Sequence, residues 1–187
     1  MARPRTFSLD DATHAAMQVF WRHGYEEAGL TELLDAMGIV RGSFYKAFGS
    51  KQALFLRVLD AYDAMAVEPG VALLTDENLP GRERIALFFA AGLDAVRTGE
   101  GRGCLLCNAA SGPVLEDEDV REAVRAQMDR LRNALAVAAG DEAEGARLLV
   151  RYVGLQVLGR GGMDDAVLEA TITDLAPDLA SGATTLQ

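Results

Sequence analysis

Leu30-Thr-Glu-Leu-Leu-Asp-Ala-Met-Gly-Ile-Val-Arg-Gly-Ser-Phe-Tyr-Lys-Ala-Phe-Gly-Ser-Lys51 is the stretch that decides how this chain is read. Leu30, Leu33 and Leu34 recur at spacings of three and four, which predicts a short helix from about Leu30 to Met37. Gly38 ends it, because a residue without a Cβ enters left-handed backbone at no steric cost. A second short helix follows Ile39 and runs to about Phe48, with Gly49 closing it and Ser50 capping the next one. Two short helices about a glycine turn have the layout of a helix-turn-helix. The residue types fit a groove. Gly42 and Ser43 are small enough for close backbone approach, and Arg41 at the amino-terminal turn can reach a guanine edge with two hydrogen bonds. Tyr45 and Lys46 suit sugar and phosphate. Lys51 opens the following helix, where a cation opposes the dipole, so its placement makes more sense facing a phosphate.

Outward from this stretch the periodicity stays helical, and no run of alternating β-branched and aromatic residues marks a sheet. The fold class is all-α, with about nine helices. A first helix opens at Ser8, carries Leu9, Ala12, Ala16, Val19 and Phe20, and ends at Gly24. After Ser50 a bridging helix carries Leu54, Phe55, Val58, Leu59, Tyr62 and Met65 in one stripe. Pro69-Gly70 and Asn78-Leu79-Pro80-Gly81 punctuate a loop before a helix of about Arg82 to Arg97. A short helix begins near Cys104, a long one reaches about Ala139, and two more cover about Glu142 to Leu158 and Asp164 to Leu175. The acidic run Glu116 to Asp119 reads as a solvated helix start. Residues 176–187 read as a frayed end. We divide the chain into a helix-turn-helix domain, residues 1–50, and a helical ligand-binding and dimerisation domain, residues 51–187. In the penultimate helix Leu148, Tyr152 and Leu155 line one face while Leu149, Val153 and Val157 line another. The second face asks for a partner, which implies a homodimer through the last two helices.

The chain has 187 residues, 50% apolar and 25% charged, proportions of a globular protein. The longest run without Asp, Glu, Lys or Arg is the thirteen residues Gly103 to Leu115, too short to span a bilayer. No apolar segment follows the basic start, so no secretory signal is expected and the location expected is the cytoplasm. A net charge of −10 is unfavourable for binding phosphates, but it is unevenly spread. Residues 1–60 carry seven bases and seven acids, whereas residues 61–187 carry 11 bases and 21 acids. Between Asp35 and Asp60 there is no acid, and Arg41, Lys46, Lys51 and Arg57 all fall there, leaving a local positive field.

Phe20-Trp-Arg-His-Gly-Tyr25, Leu30 to Met37, Gly38, Arg41-Gly-Ser-Phe-Tyr45 and Phe48-Gly-Ser-Lys51 together resemble the DNA-binding domain of TetR-family transcriptional regulators over roughly residues 8–60. The resemblance implies an all-helical homodimer that binds double-stranded operator DNA. It also implies that a small-molecule effector in the second domain spreads the two reading heads and releases the DNA. Carried over by position, Thr31, Arg41, Ser43, Tyr45, Lys46 and Lys51 would contact DNA. Two positions depart from the family: Gly29 stands where a capping Ser or Thr is common, and Val40 where a Ser commonly opens the recognition helix. Gly103-Cys-Leu-Leu-Cys-Asn-Ala109 resembles, over a shorter span, a subgroup that senses electrophiles and oxidants through a cysteine. Cys104 at a helix start would have its thiolate stabilised by the dipole, with Arg102 adding to this. The other reading of both cysteines is plain packing.

Cys104 and Cys107 make no disulfide framework, and with no second cysteine pair neither a zinc site nor a metal or cofactor of any kind is expected. His14 and His23 lie nine residues apart on the first helix and point to different sides, and no catalytic triad or carboxylate pair assembles from local spacing, so no enzyme is expected. Phe55, Tyr62, Phe88, Phe89, Met128 and Tyr152, with Asn108 and Gln156 as polar groups, are the candidates to line an effector cavity. The competing reading is a helical ligand-binding or thiol redox protein whose amino-terminal bundle is merely structural.

Overall fold

Side-chain oxygens set four of the helix starts. The computed structural model describes residues 8–99, 101–173 and 175; Arg3, Arg5 and the segment 176–187 lie outside them. In chain order the elements are α1 (Leu9–Glu27), α2 (Leu30–Met37), α3 (Arg41–Phe48), α4 (Lys51–Tyr62), a π turn (Asp63–Val67), α5 (Glu68–Thr75), α6 (Gly81–Thr98), α7 (Leu105–Ala110), a 3-10 turn (Pro113–Glu116), α8 (Glu118–Ala139), α9 (Glu142–Arg160) and α10 (Asp165–Ala170). Ser8 accepts from the Asp11 amide at 3.2 Å, Ser50 from Ala53 at 3.0 Å, Asp117 from Val120 at 3.1 Å and Asp141 from Glu144 at 2.7 Å. Each satisfies an amide that the first turn leaves without a partner. Among the described residues there is no strand, and the fold is all-α. Because α4, the π turn and α5 run on without a break, these elements form nine rods.

The bridging helix corrects the sequence in two ways. It continues through Pro69 and Gly70, where a loop was expected, to Thr75. The π turn makes this possible: the Glu68 amide bonds to the Asp63 carbonyl, five residues back, and the widened turn relieves the clash a proline ring makes in a regular helix. The extra residue also rotates the apolar stripe, so Met65 is 43% exposed and Val67 is buried in its place. At the carboxyl end α10 stops at Ala170, not near Leu175. There the Thr171 and Thr173 hydroxyls donate to the Leu168 and Glu169 carbonyls and compete with the helix for its backbone acceptors.

α1 is interrupted at Gly24, with φ 80 and ψ 174, a backbone region open to glycine alone. Regular helix ends there, and Tyr25 to Glu27 add one reoriented turn. Gly38, left-handed at φ 65, closes α2 and sends the chain into α3. Phe20, Leu33, Phe44 and Leu54, one each from α1 to α4, are all buried, and the Phe20 and Phe55 rings meet edge-on at 5.0 Å. The helices α1 to α3 make the head, and the start of the bridging helix closes its core. In the body α8 and α9 form a hairpin through Gly140, packed so closely that a Cβ on Gly145 would lie 2.6 Å from Ala136. No helix of the described residues is long and apolar enough to cross a membrane.

Candidate nucleic-acid interface and its coupling to the body

The turn from α2 to α3 leaves one face of α3 in solvent. Thr31, Arg41 and Lys46 are exposed, Tyr45 is 50% exposed and Ser43 is half-buried, while Phe44 and Phe48 anchor the opposite side in the core. Of the four bases in the acid-free window, Arg41 and Lys46 make no hydrogen bond or ion pair among the described residues. The other two are engaged. Arg57 reaches Thr13 Oγ1 at 3.1 Å and Asp10 at 3.2 Å, which fixes α4 to α1. Lys51 donates to the Glu26 carbonyl at 3.3 Å and lies over the Tyr25 ring at 4.6 Å. Partial burial lowers the Lys51 pKa, against the pull of Glu26 and Glu27, which raise it. Lys51 therefore pins the broken end of α1 as well as bordering the exposed face. His23 Nε2 lies 3.0 Å from Glu32 and links α1 to α2.

A second constellation joins head to body. Trp21 Nε1 of α1 donates to the Gly103 carbonyl at 2.8 Å, and the Arg102 guanidinium lies over the Trp21 ring while bonding Gln18 Oε1 at 2.7 Å. Next in the chain, Cys104 stands at the N-cap of α7 and receives a hydrogen bond from the Tyr62 hydroxyl of α4 at 3.3 Å. Trp21 and Tyr62 touch edge-on at 5.2 Å. Farther along, Gln52 of α4 donates to Asp117 at 3.0 Å and Asp119 at 3.2 Å at the start of α8. The segment 102–104 thus holds both α1 and α4.

The Cys104 thiol is pulled down to about 7, first by the Cys107 thiol that hydrogen-bonds to it, then by Tyr62 and the amides of Cys107 and Leu106, against its burial. Cys107 is raised by the same interaction and by burial. Burial likewise raises Tyr62 and Tyr152. Arg102, expected from its sequence position to add to this, is not among the groups that lower Cys104; its guanidinium bonds Gln18 and the Gly99 carbonyl. Among the described residues no group of three or more His, Cys, Asp or Glu gathers as a metal site.

The effector candidates divide. Phe55 and Asn108 line a cavity of about 280 Å³ between head and body, whose other walls include Phe20, Tyr25, Leu105, Val114 and Arg160. Phe88, Phe89 and Tyr152 instead pack edge-on and tilted against one another, with Phe88 and Tyr152 centroids 4.6 Å apart. Gln156 is buried with its amide on the Gly92 carbonyl at 3.0 Å. Tyr62 is engaged with Cys104, and Met128 is half-buried beside the core. The sequence reading missed Trp21, Arg102 and Gln52 as junction residues. Only Trp21 carried a usable signal, since a packed indole N–H needs an acceptor.

An exposed recognition helix on a three-helix head, joined by one long helix to a helical body, defines a helix-turn-helix regulator. Residues 12–58 match the description "Bacterial regulatory proteins, tetR family". The chain is 30% identical over 137 residues to the HTH-type transcriptional regulator YezE of Bacillus subtilis, covering 72% of this chain and 69% of that protein. To the HTH-type transcriptional repressor BdcR of Escherichia coli it is 32% identical over 120 residues, 64% of this chain and 59% of that one. A cysteine-substituted form of the TetR family regulator CifR, solved with 26-bp double-strand operator DNA, superposes with a TM-score of 0.80 at 29% identity, over 94% of this chain and 99% of that one. The chain belongs to the TetR family and is a transcriptional regulator.

Proposed function

We propose that this chain is a homodimeric repressor that binds operator DNA through α3 and is released when a small molecule or electrophile acts at the junction of head and body. The observation that carries the DNA reading is the unengaged pair Arg41 and Lys46 on the exposed face of α3, in a window that holds no carboxylate. Base reading falls to Arg41, and phosphate contact to Thr31, Ser43, Tyr45, Lys46 and Lys51. Repression is supported by BdcR, a relative named as a repressor, and operator binding by the CifR complex.

Release is assigned to Cys104. Alkylation or oxidation of its buried sulfur adds bulk where the Tyr62 hydroxyl of α4 donates and disturbs the adjoining segment that holds Trp21 of α1. The cavity beside Phe55 and Asn108 touches the same two helices and suits a non-covalent effector. The dimer is assigned to the face of α9 formed by Val150, Val153, Gly154, Val157 and Leu158, of which Val150 is 73% exposed. Residues 1–50 would then read DNA and residues 51–187 sense and dimerise, with no catalytic step required.

Anisotropy with the DNA upstream of its own gene, titrated over several salt concentrations beside a scrambled duplex, tests the proposal. Arg41→Ala should cost about 1–3 kcal/mol at one base position, and Lys46→Ala should weaken all sequences alike and flatten the salt slope. Unchanged affinity in both variants overturns the assignment of α3. Cys104→Ser should abolish release by an electrophile, and continued release in that variant removes the sensor role. Equal weak binding to every duplex favours the structural-bundle alternative.

A further inference from the structure

The start of α3, like those of α2, α6, α7 and α10, lacks the side-chain cap found at α1, α4, α8 and α9. Those four are capped by Ser or Asp oxygens, whereas the N-cap of α3 is Val40, which makes no side-chain cap. Valine is among the poorest residues there, because it leaves the first amides of the helix without a side-chain acceptor. Val40 also gains nothing from the core. It is 71% exposed, while its neighbours Ile39 and Phe44 turn inward. A residue that gives up the cap and leaves two methyl groups in water is free to meet a partner outside the monomer. Its position says what covers it: it stands beside Arg41 and the open backbone of Gly42, at the amino-terminal end of the recognition helix, the end that meets base edges.

The major groove offers one prominent apolar group, the 5-methyl of thymine. We infer that Val40 is a specificity-determining residue that packs on a thymine methyl in each operator half-site, within a base pair or two of the base that Arg41 reads. This rests on the operator-binding reading and adds to it a base preference. A serine at this position would cap α3 and could reach a phosphate, but it would not distinguish thymine by its methyl group. Valine exchanges helix stability for that discrimination.

The test uses the full-length protein and its footprinted operator. Each thymine of the half-sites is replaced in turn by uracil, which removes only the methyl group, and affinities are measured by anisotropy for the wild type, Val40→Ala and Val40→Ser. One thymine per half-site should matter to the wild type, with uracil there weakening binding about fourfold, the worth of one buried methyl group. At that position Val40→Ala and Val40→Ser should bind thymine and uracil alike, while staying as sensitive as the wild type at the base read by Arg41. Val40→Ser should also raise the Tm by restoring a cap. The inference is overturned if no uracil substitution weakens the wild type, or if the same substitution weakens all three proteins equally. In either case tight operator binding in the same titrations leaves the regulator reading intact, whereas no preferred duplex at all sinks that reading and this one with it.

Discussion

Replacing Cys107 by Ala should change how the rate of Cys104 alkylation depends on pH. The Cys107 thiol is the largest influence lowering Cys104 to about 7 from the ordinary 9.0. At pH 7 an ordinary thiol is about 1% ionised and one at about 7 is half ionised, roughly a 50-fold gain in thiolate. The more acidic thiolate is intrinsically the weaker nucleophile, by about 0.4–0.5 log units per pKa unit, so the two units of difference remove about 8-fold. The wild type should therefore react about sixfold faster at pH 7 than an unactivated thiol in the same place, and about eightfold slower on the alkaline plateau. Cys107→Ala should move the midpoint from about 7 toward 9, lowering the neutral rate and raising the plateau, so that the two curves cross. Iodoacetamide labelling between about pH 6 and 10, with tandem mass spectrometry assigning the modified sulfur, measures both curves. A purely steric effect of the alanine would scale the whole curve without a crossing. Coincident midpoints, or a wild-type midpoint above about 8.5, would refute the account of Cys104 as an activated thiolate.

The same thiol sets a direction for stability. Its folded pKa lies below its unfolded one, so its contribution is fully present above about 9 and is lost as pH falls through about 7. Urea midpoints of the wild type should rise over that interval more than those of Cys104→Ser, and parallel profiles would argue against it. Trp21→Phe removes the donor to the buried Gly103 carbonyl and should cost about 1–3 kcal/mol, read by circular dichroism in urea. A loss below a few tenths of a kcal/mol would mean that this bond does not hold the head. Val150→Asp, at the most exposed apolar position of α9, should yield monomers in analytical ultracentrifugation with the helical content unchanged. A dimer that persists in Val150→Asp would place the interface elsewhere.

Much of the fold could be read locally. Ser8, Ser50 and Gly38 set helix ends through their own side chains or lack of one, so the sequence alone placed α1 to α4 and their order. The reading face of α3 was legible in part: burying Phe44 and Phe48 leaves Lys46 on the far side, whereas Arg41 shares their row and is exposed because it stands at the open first turn. The body was less legible. Phe88, Phe89 and Tyr152 looked as suited to a ligand as Phe55 did, because an aromatic ring packs equally well against other rings or against a void.

Sequence by itself determined an all-helical chain, a helix-turn-helix with its exposed bases, and a cysteine at a helix start. Each is fixed by interactions within about four residues along the chain. Tertiary structure alone decided the π turn that exchanges Met65 for Val67, the commitment of Lys51 and Arg57 to α1, the turning of Arg102 from Cys104 to Gln18, and the bonds from Trp21 and Tyr62 to residues 103 and 104. These depend on which groups meet across helices far apart in sequence, where a donor takes the nearest acceptor that packing provides.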